Sequence, residues 1–413
     1  MENYEISLIK VSIDANNNKF WKIKVENNIS IREWGRVGSS GSSKTENLSV
    51  YAAQRLAEKK IRDGYQEVHL VNTKTNTNNK NNVLLLDKFI NELSENNQDV
   101  LNVLKYCQES NIHQILDKTT LTFNKNTGLF STPLGIVTLN SLISAENLLI
   151  KIKNDVLSGN QINNKDVEDY LTLIPQKVGL KINALVLFGS EKKIEYQKDI
   201  LESLKASLDI SFNDKNEISN EQEKNPFNVE IKPIEDQEII ELIKKMFLGN
   251  IDKSHPSAKL KYSNAFHLNI KSMTNNARFK KGEGKKLWHG TRVGNVLSIL
   301  KNGMKIISSN TNIVTGRMFG DGLYFSDIST KALNYSLGTW NSVGKGSGNK
   351  YYGLICDVFM NKTYQTSTTR ISYPVDGYDS TFAKAGVNGL KNNEMIVYSE
   401  KQVIPIYLVE FTL

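Results

Sequence analysis

Two cysteines are all that 413 residues contain, Cys107 and Cys356, far apart and each in an apolar stretch. So few thiols exclude a disulfide framework and any zinc site built on cysteine spacing. Histidine is scarce too: His69, His113, His255, His267 and His289 show no metal-ligand spacing, so a metal-independent chemistry is expected. No run of 18 or more apolar residues occurs, so no membrane span is indicated. The opening MENYEISLIK lacks the basic-then-apolar pattern of a secretory signal, and the chain reads as intracellular.

What is present is a globular composition, 39% hydrophobic and 23% charged, long enough for two or three domains. The net charge of +8 is unevenly spread. Residues 251–305 hold ten lysines and two arginines against Asp252 and Glu283. Residues 209–241 hold three lysines against ten acids. A basic face of that strength attracts phosphates, in a nucleotide or a nucleic acid, although a solvated surface has the same composition.

Along the chain, Trp21, Ile23 and Val25 alternate with Lys22, Lys24 and Glu26, the pattern of a half-buried strand. EWGRVG (33–38) and a Gly/Ser turn follow. A helix comes next, with Ala53, Leu56, Ala57 and Ile61 as its apolar stripe and Gly64 after it. Residues 72–83 are polar, Asn-rich and read as a linker. From 84 to about 210, apolar spacings of three and four predict a helical bundle, with Pro133, Gly135, Pro175 and Gly179 as turn signals. An acidic linker follows. From 231 the pattern becomes mixed: Pro233 is predicted to open a helix, and strand-like runs such as GLYFS, YYGLICDVFM, EMIVYS and VIPIYLVEF come later.

LWHGTR (287–292) stands immediately before a helix whose stripe is Val293, Val296, Leu297 and Leu300, closed by Asn302-Gly303. His289 therefore lies at a strand end, beside a glycine that lets a ligand reach the backbone. GTWNSVGKGSG has the wrong spacing for a phosphate-binding P-loop, and GRMFGDG is not a dinucleotide fingerprint.

LWHGTR (287–292), TGRMFGDGLYFSDISTKALNYS (315–336) and NNEMIVYSEKQVIPIYLVEF (392–411) together resemble the catalytic domain of the poly(ADP-ribose) polymerases. EWGRVG resembles the WGR domain of the DNA-dependent members, and PLGIVTLNSLISA with YLTLIPQKVG resembles their helical regulatory domain. The resemblance runs from about residue 4 to 411, without the zinc fingers of the largest member.

The resemblance implies NAD as an ADP-ribose donor, with no metal. The family's catalytic triad falls on His289, Tyr324 and Glu394. It implies Glu394 as the carboxylate beside the oxocarbenium-like ribose, and His289 on a ribose hydroxyl. Gly290 is implied on the nicotinamide amide, and Tyr324 and Tyr335 stacked on its ring. Thr291, Ser298 and Lys305 join the donor site, and Gly316, Gly320 and Gly322 permit turns around it. Two positions depart from the family: a nicotinamide-binding serine is Ala332, and an adenosine-side arginine is Lys305. Lys331 is retained. Trp34, Gly35 and Arg36 would bind DNA, although the sequence alone leaves open whether Trp34 packs a core instead.

The expected fold is multidomain α+β. It comprises a WGR domain (1–71), a linker (72–83), an all-helical regulatory bundle (84–212), an acidic linker (213–230) and a mixed α+β ADP-ribosyltransferase domain (231–413). The expected partners are damaged DNA at strand breaks and acceptor proteins, itself among them. The expected compartment is the nucleus in a eukaryote and the cytoplasm otherwise. A mono-ADP-ribosyltransferase and a catalytically silent DNA-binding scaffold stay open as alternatives.

Overall fold

The computed structural model describes residues 3–37, 41–67, 82–124, 129–132, 135–176, 178, 181–210, 225–306, 318–337 and 349–413. The linker expectations at 72–81 and 213–224, the turn signals Pro133 and Gly179, Gly316 and the loop 338–348 lie outside the described residues. The chain divides into two compact units, Met1–Leu84 with Ile112–Ser211, and Leu85–Asn111 with Phe212–Leu413.

The first unit begins with strands β1 (Tyr4–Ser12), β2 (Asn17–Glu26), β3 (Ile29–Arg36) and β4 (Ser42–Asn47), then helix α1 (Val50–Arg62) and strand β5 (Gln66–Glu67). They form one sheet in the order β4-β3-β2-β1-β5. Alternation along β2 buries Trp21, Ile23 and Val25. Lys22 reaches the other way and pairs with Glu5 at 3.0 Å. Ser49 caps α1 by accepting from the Ala52 N–H at 3.2 Å. Ala53 and Ala57 bury completely against Ile6, Leu8 and Trp21, whereas Ile61 at the end of the stripe is exposed. Each large side chain buried here contributes roughly 1.5–3 kcal/mol.

Helices α2 (Asn82–Leu93) and α3 (Gln98–Lys118) follow, and the unit boundary runs through α3. The rest of the first unit holds α4 (Leu139–Leu157), α5 (Asn164–Leu173), α6 (Ala184–Phe188) and α7 (Glu191–Ile210) around Leu142, Leu149, Ile152, Tyr170 and Leu204. This region is not purely helical. Between α3 and α4 lie β6 (Thr122–Asn124), β7 (Leu129–Thr132) and β8 (Gly135–Ile136), a three-stranded sheet with the Phe123 and Phe130 rings 5.0 Å apart. Strands of two to four residues are too short to show a period. Within this unit the β1–β2 turn grips α5. The Ile13 N–H donates to Glu168 Oε1 at 2.6 Å, and Asn164 Nδ2 donates to Asp14 at 3.1 Å.

The second unit is built on two sheets. Its elements are β9 (Val229–Pro233), α8 (Gln237–Leu248), β10 (Lys261–Ile270), α9 (Lys271–Asn276), β11 (Lys285–Gly290), α10 (Val293–Asn302), β12 (Leu323–Phe325), α11 (Ser329–Leu337), β13 (Lys350–Val358), β14 (Thr363–Thr366), β15 (Ser380–Ala383), β16 (Glu394–Val397) and β17 (Val403–Thr412). The sheet orders are β11-β13-β17-β10-β9 and β12-β16-β15-β14. Pro233 does not open a helix. It ends the edge strand β9 opposite Phe266, where a missing N–H is tolerated, and Asp236 caps α8 instead. One side of the larger sheet packs Trp288, Ile355, Val409 and Phe411 against α8 and α11 through Phe247 and Leu333. Tyr106, from the part of α3 in this unit, bonds the Lys350 N–H at 3.1 Å.

Candidate active site

The site forms where the two sheets of the second unit meet. Trp288 on β11 and Ser326 just past β12 exchange backbone hydrogen bonds at 2.9 and 3.0 Å, which brings β11 and β12 together. His289 Nδ1 lies 3.0 Å from the Tyr324 carbonyl oxygen. A carbonyl only accepts, so Nδ1 carries the proton and Nε2 keeps its lone pair for a hydroxyl. Burial lowers the His289 pKa, partly opposed by that hydrogen bond, so the ring is neutral near pH 7.

Tyr324 is held from the other end. Its hydroxyl donates to the Gly320 carbonyl at 2.9 Å and accepts from the Phe319 N–H at 3.0 Å. Its ring packs with Phe319, Tyr373 and Ile396. Tyr324 pairs with Ile396 across β12 and β16, so Glu394, two residues earlier, emerges on the same sheet face.

Glu394 is only 8% exposed. Its Oε1 accepts from Lys331 Nζ at 2.7 Å, while its Oε2 is buried with no hydrogen-bond partner among the described residues. An orphaned carboxylate oxygen is costly in a folded interior and fits a group that arrives with substrate. Lys331 also donates to the Asn393 carbonyl at 3.1 Å. Burial pushes its pKa down, and Glu394 pulls it back up.

Gly290 ends β11 against α11. A Cβ there would overlap the Ala332 carbonyl, so this approach admits no side chain. Ala332 itself is buried in the core. Tyr335, one turn after Lys331 on α11, is 44% exposed. Thr291 is buried next to Gly290, and Ser298 is half-buried on α10. Lys305 forms an ion pair with Glu400 at 3.2 Å, so its charge is engaged within the protein. Gly320 has a φ of +79° and Gly322 fits tightly under Ile396.

Sequence reasoning gave no role to the polar lattice behind Glu394. His255 Nδ1 lies 3.1 Å from Thr330 Oγ1, and its Nε2 lies 3.2 Å from Asn392 Nδ2. Asn393 Nδ2 donates to Asp327 Oδ2 at 3.0 Å. These contacts fix the turn that delivers Glu394. A lone histidine before a short 3-10 helix, Pro256–Lys259, gave no local signal of this.

Trp34, Gly35 and Arg36 lie in the other unit, on β3. Trp34 is 39% exposed, whereas Trp21, its cross-strand partner, is 5% exposed and fills the core. Among the described residues no helix is long and apolar enough to cross a membrane, and no His/Cys/Asp/Glu group could hold a metal ion.

His289, Tyr324, Lys331 and Glu394 are thus linked by contacts in this unit, next to the close approach of Gly290 to Ala332. The poly(ADP-ribose) polymerase catalytic domain matches residues 237–385, and the WGR domain matches residues 4–70. A poly(ADP-ribose) polymerase-like protein, 100L, of Invertebrate iridescent virus 6 is 35% identical over 136 residues, 30% of this chain and 70% of that protein. Poly(ADP-ribose) polymerase 2 of Homo sapiens is 22% identical over 80% of this chain and 62% of its own length. A poly(ADP-ribose) polymerase of Drosophila melanogaster is 24% identical over 80% of this chain and 36% of its own length. The chain thus spans under two thirds of those last two relatives. It belongs to the poly(ADP-ribose) polymerase family and carries the family's NAD-dependent ADP-ribosyltransferase domain.

Proposed function

We propose that the protein is a DNA-break-activated poly(ADP-ribose) polymerase that modifies proteins, itself among them, during DNA repair. The observation that carries the chemistry is the free Oε2 of Glu394 beside the Lys331 ammonium. Cleaving NAD breaks the bond between ribose and nicotinamide, whose electron pair leaves with neutral nicotinamide. Positive charge develops on the ribose, and a fixed carboxylate stabilises it more than the ground state. An acceptor oxygen then forms the new glycosidic bond, and Glu394 takes its proton.

The remaining residues position the donor. His289 Nε2 accepts from a ribose hydroxyl, Gly290 offers its backbone to the nicotinamide amide, and the Tyr324 and Tyr335 rings flank the nicotinamide. Thr291, Ser298 and Lys305 line the remainder of the donor site. Trp34, Gly35 and Arg36 contact DNA at a strand break, an assignment that the exposure of Trp34 supports. The bonds from Ile13 and Asp14 to α5 give the WGR sheet a direct hold on the helices. Break binding therefore shifts the helical elements from a closed to an open population that admits NAD. In a eukaryote the site of action is the nucleus. Incubating the protein with labelled NAD and a nicked duplex tests the reading: a high-mass smear supports it, and a single sharp band leaves only mono-transfer.

A further inference from the structure

The densest positive charge in the second unit lies outside the donor site. After α9 and into the start of β11, Arg278, Lys280, Lys281, Lys285 and Lys286 are all exposed. None of the five has an acidic side-chain partner among the described residues. Several lysines elsewhere do pair, among them Lys165 with Asp169 and the half-buried Lys22 with Glu5, Lys244 with Glu241 and Lys271 with Glu230. The one acid inside the cluster, Glu283, is exposed as well, its carboxylate accepting from the Lys280 N–H at 2.9 Å and pairing with none of the five side chains. The field of Lys281 reaches His267 and, after burial, helps lower its pKa.

The cluster sits on a built turn. Phe279 is buried and stacks on Phe359 with ring centroids 5.1 Å apart. The Arg278 N–H donates to the Lys401 carbonyl at 2.8 Å, and the Gly282 N–H donates to the buried Asp357 carboxylate. At Gly284 a Cβ would sit 2.8 Å from the Val358 backbone, so the turn presses flat on β13. Five cations around one exposed carboxylate, held together on a rigid turn, repel one another until a polyanion covers them.

We infer that this turn binds the anionic ADP-ribose chain that leaves the active site. The inference rests on the reading that the enzyme elongates polymers. β11 fixes the geometry, because its first residues, Lys285 and Lys286, carry the charge and its last, His289 and Gly290, form the donor site. At about 3.3 Å per residue the two ends are roughly 17 Å apart. A chain bearing two phosphates per unit, made at one end of this strand, meets the lysines at the other. Unlike a nucleic acid, this polyanion originates within the same unit, at the other end of β11.

The test uses the full chain without NAD, purified ADP-ribose polymer added from outside, and a nicked duplex as comparison. A variant with Lys280, Lys281, Lys285 and Lys286 all changed to Ser should bind polymer at least ten-fold more weakly. Its salt dependence should be shallower by up to about 3 logarithmic units per decade, at about 0.7 per lost contact. A variant with the same four positions changed to Arg should bind normally, and duplex affinity should be unchanged in both. Unchanged polymer binding in the Ser variant would overturn the inference. So would a loss that falls on the duplex instead, which would make the partner nucleic acid. Failure of elongation itself would appear only in the NAD assay, so the two results are separable.

Discussion

Lys331 Nζ lies 2.7 Å from Glu394 Oε1, and the second oxygen of that carboxylate is buried with no partner among the described residues. The lysine thus holds one oxygen of the carboxylate proposed to act on the ribose. Replacing Lys331 with Met strands a buried carboxylate, at a cost of roughly 3 kcal/mol in stability. We expect ADP-ribose transfer from NAD to acceptor to fall by about two orders of magnitude, the scale of losing one preorganised charge. Burial lowers the Lys331 pKa, so the ammonium is lost on raising pH earlier than in a free lysine. The alkaline limb of the rate profile should therefore lie below the ordinary lysine value of 10.5. A profile still flat at that pH would deny the lysine this role.

Gly290 and Ala332 meet backbone to backbone. Gly290→Ala should abolish NAD binding and lower the melting temperature, because β11 and α11 must move apart. Ala332→Ser restores a hydroxyl where the family has one. We expect a benzamide-type inhibitor to bind roughly 2- to 13-fold tighter, the equivalent of one net hydrogen bond of about 0.5–1.5 kcal/mol. Equal inhibition of the two proteins would show that the position does not face nicotinamide.

The two tryptophans of the WGR sheet separate fold from binding. Trp21→Ala removes a core side chain and should cost about 3–5 kcal/mol. Trp34→Ala should leave thermal stability almost unchanged and weaken nicked-duplex binding by at least ten-fold. A Trp34 variant that unfolds but, when folded, binds normally would reverse these assignments.

Much of this was legible in the sequence. The 3.6 period of α10 and the glycine at the end of β11 announced a strand-to-helix turn at His289. The order of three separated motifs singled out Tyr324 and Glu394, which lie on the neighbouring strands β12 and β16. Other features depend on tertiary pairing and left no local trace. Pro233 reads as a helix opener until its place on an edge strand is known. The short strands β6 to β8 fall below any detectable period. Alternation marked Trp21 as buried, but Trp34 stayed open between core and surface until its place on β3 opposite Trp21 was known. His255 reaches Asn392 across 137 residues.

Glu168 Oε1 accepts from the Ile13 N–H at 2.6 Å, a contact between the β1–β2 turn and α5. Glu168→Ala should leave nicked-duplex affinity intact but reduce DNA stimulation of activity several-fold, since the coupling lost is worth about 1–2 kcal/mol. Full stimulation in the variant would mean that the signal takes another route.

The most direct measurement is incorporation of labelled NAD, resolved on a gel, for the natural protein and for Glu394→Gln, each with and without a nicked duplex. We expect a DNA-dependent high-mass smear from the natural protein and its loss in the variant. A smear of equal intensity from Glu394→Gln, or no label from the natural protein with DNA present, would contradict a polymerase centred on Glu394.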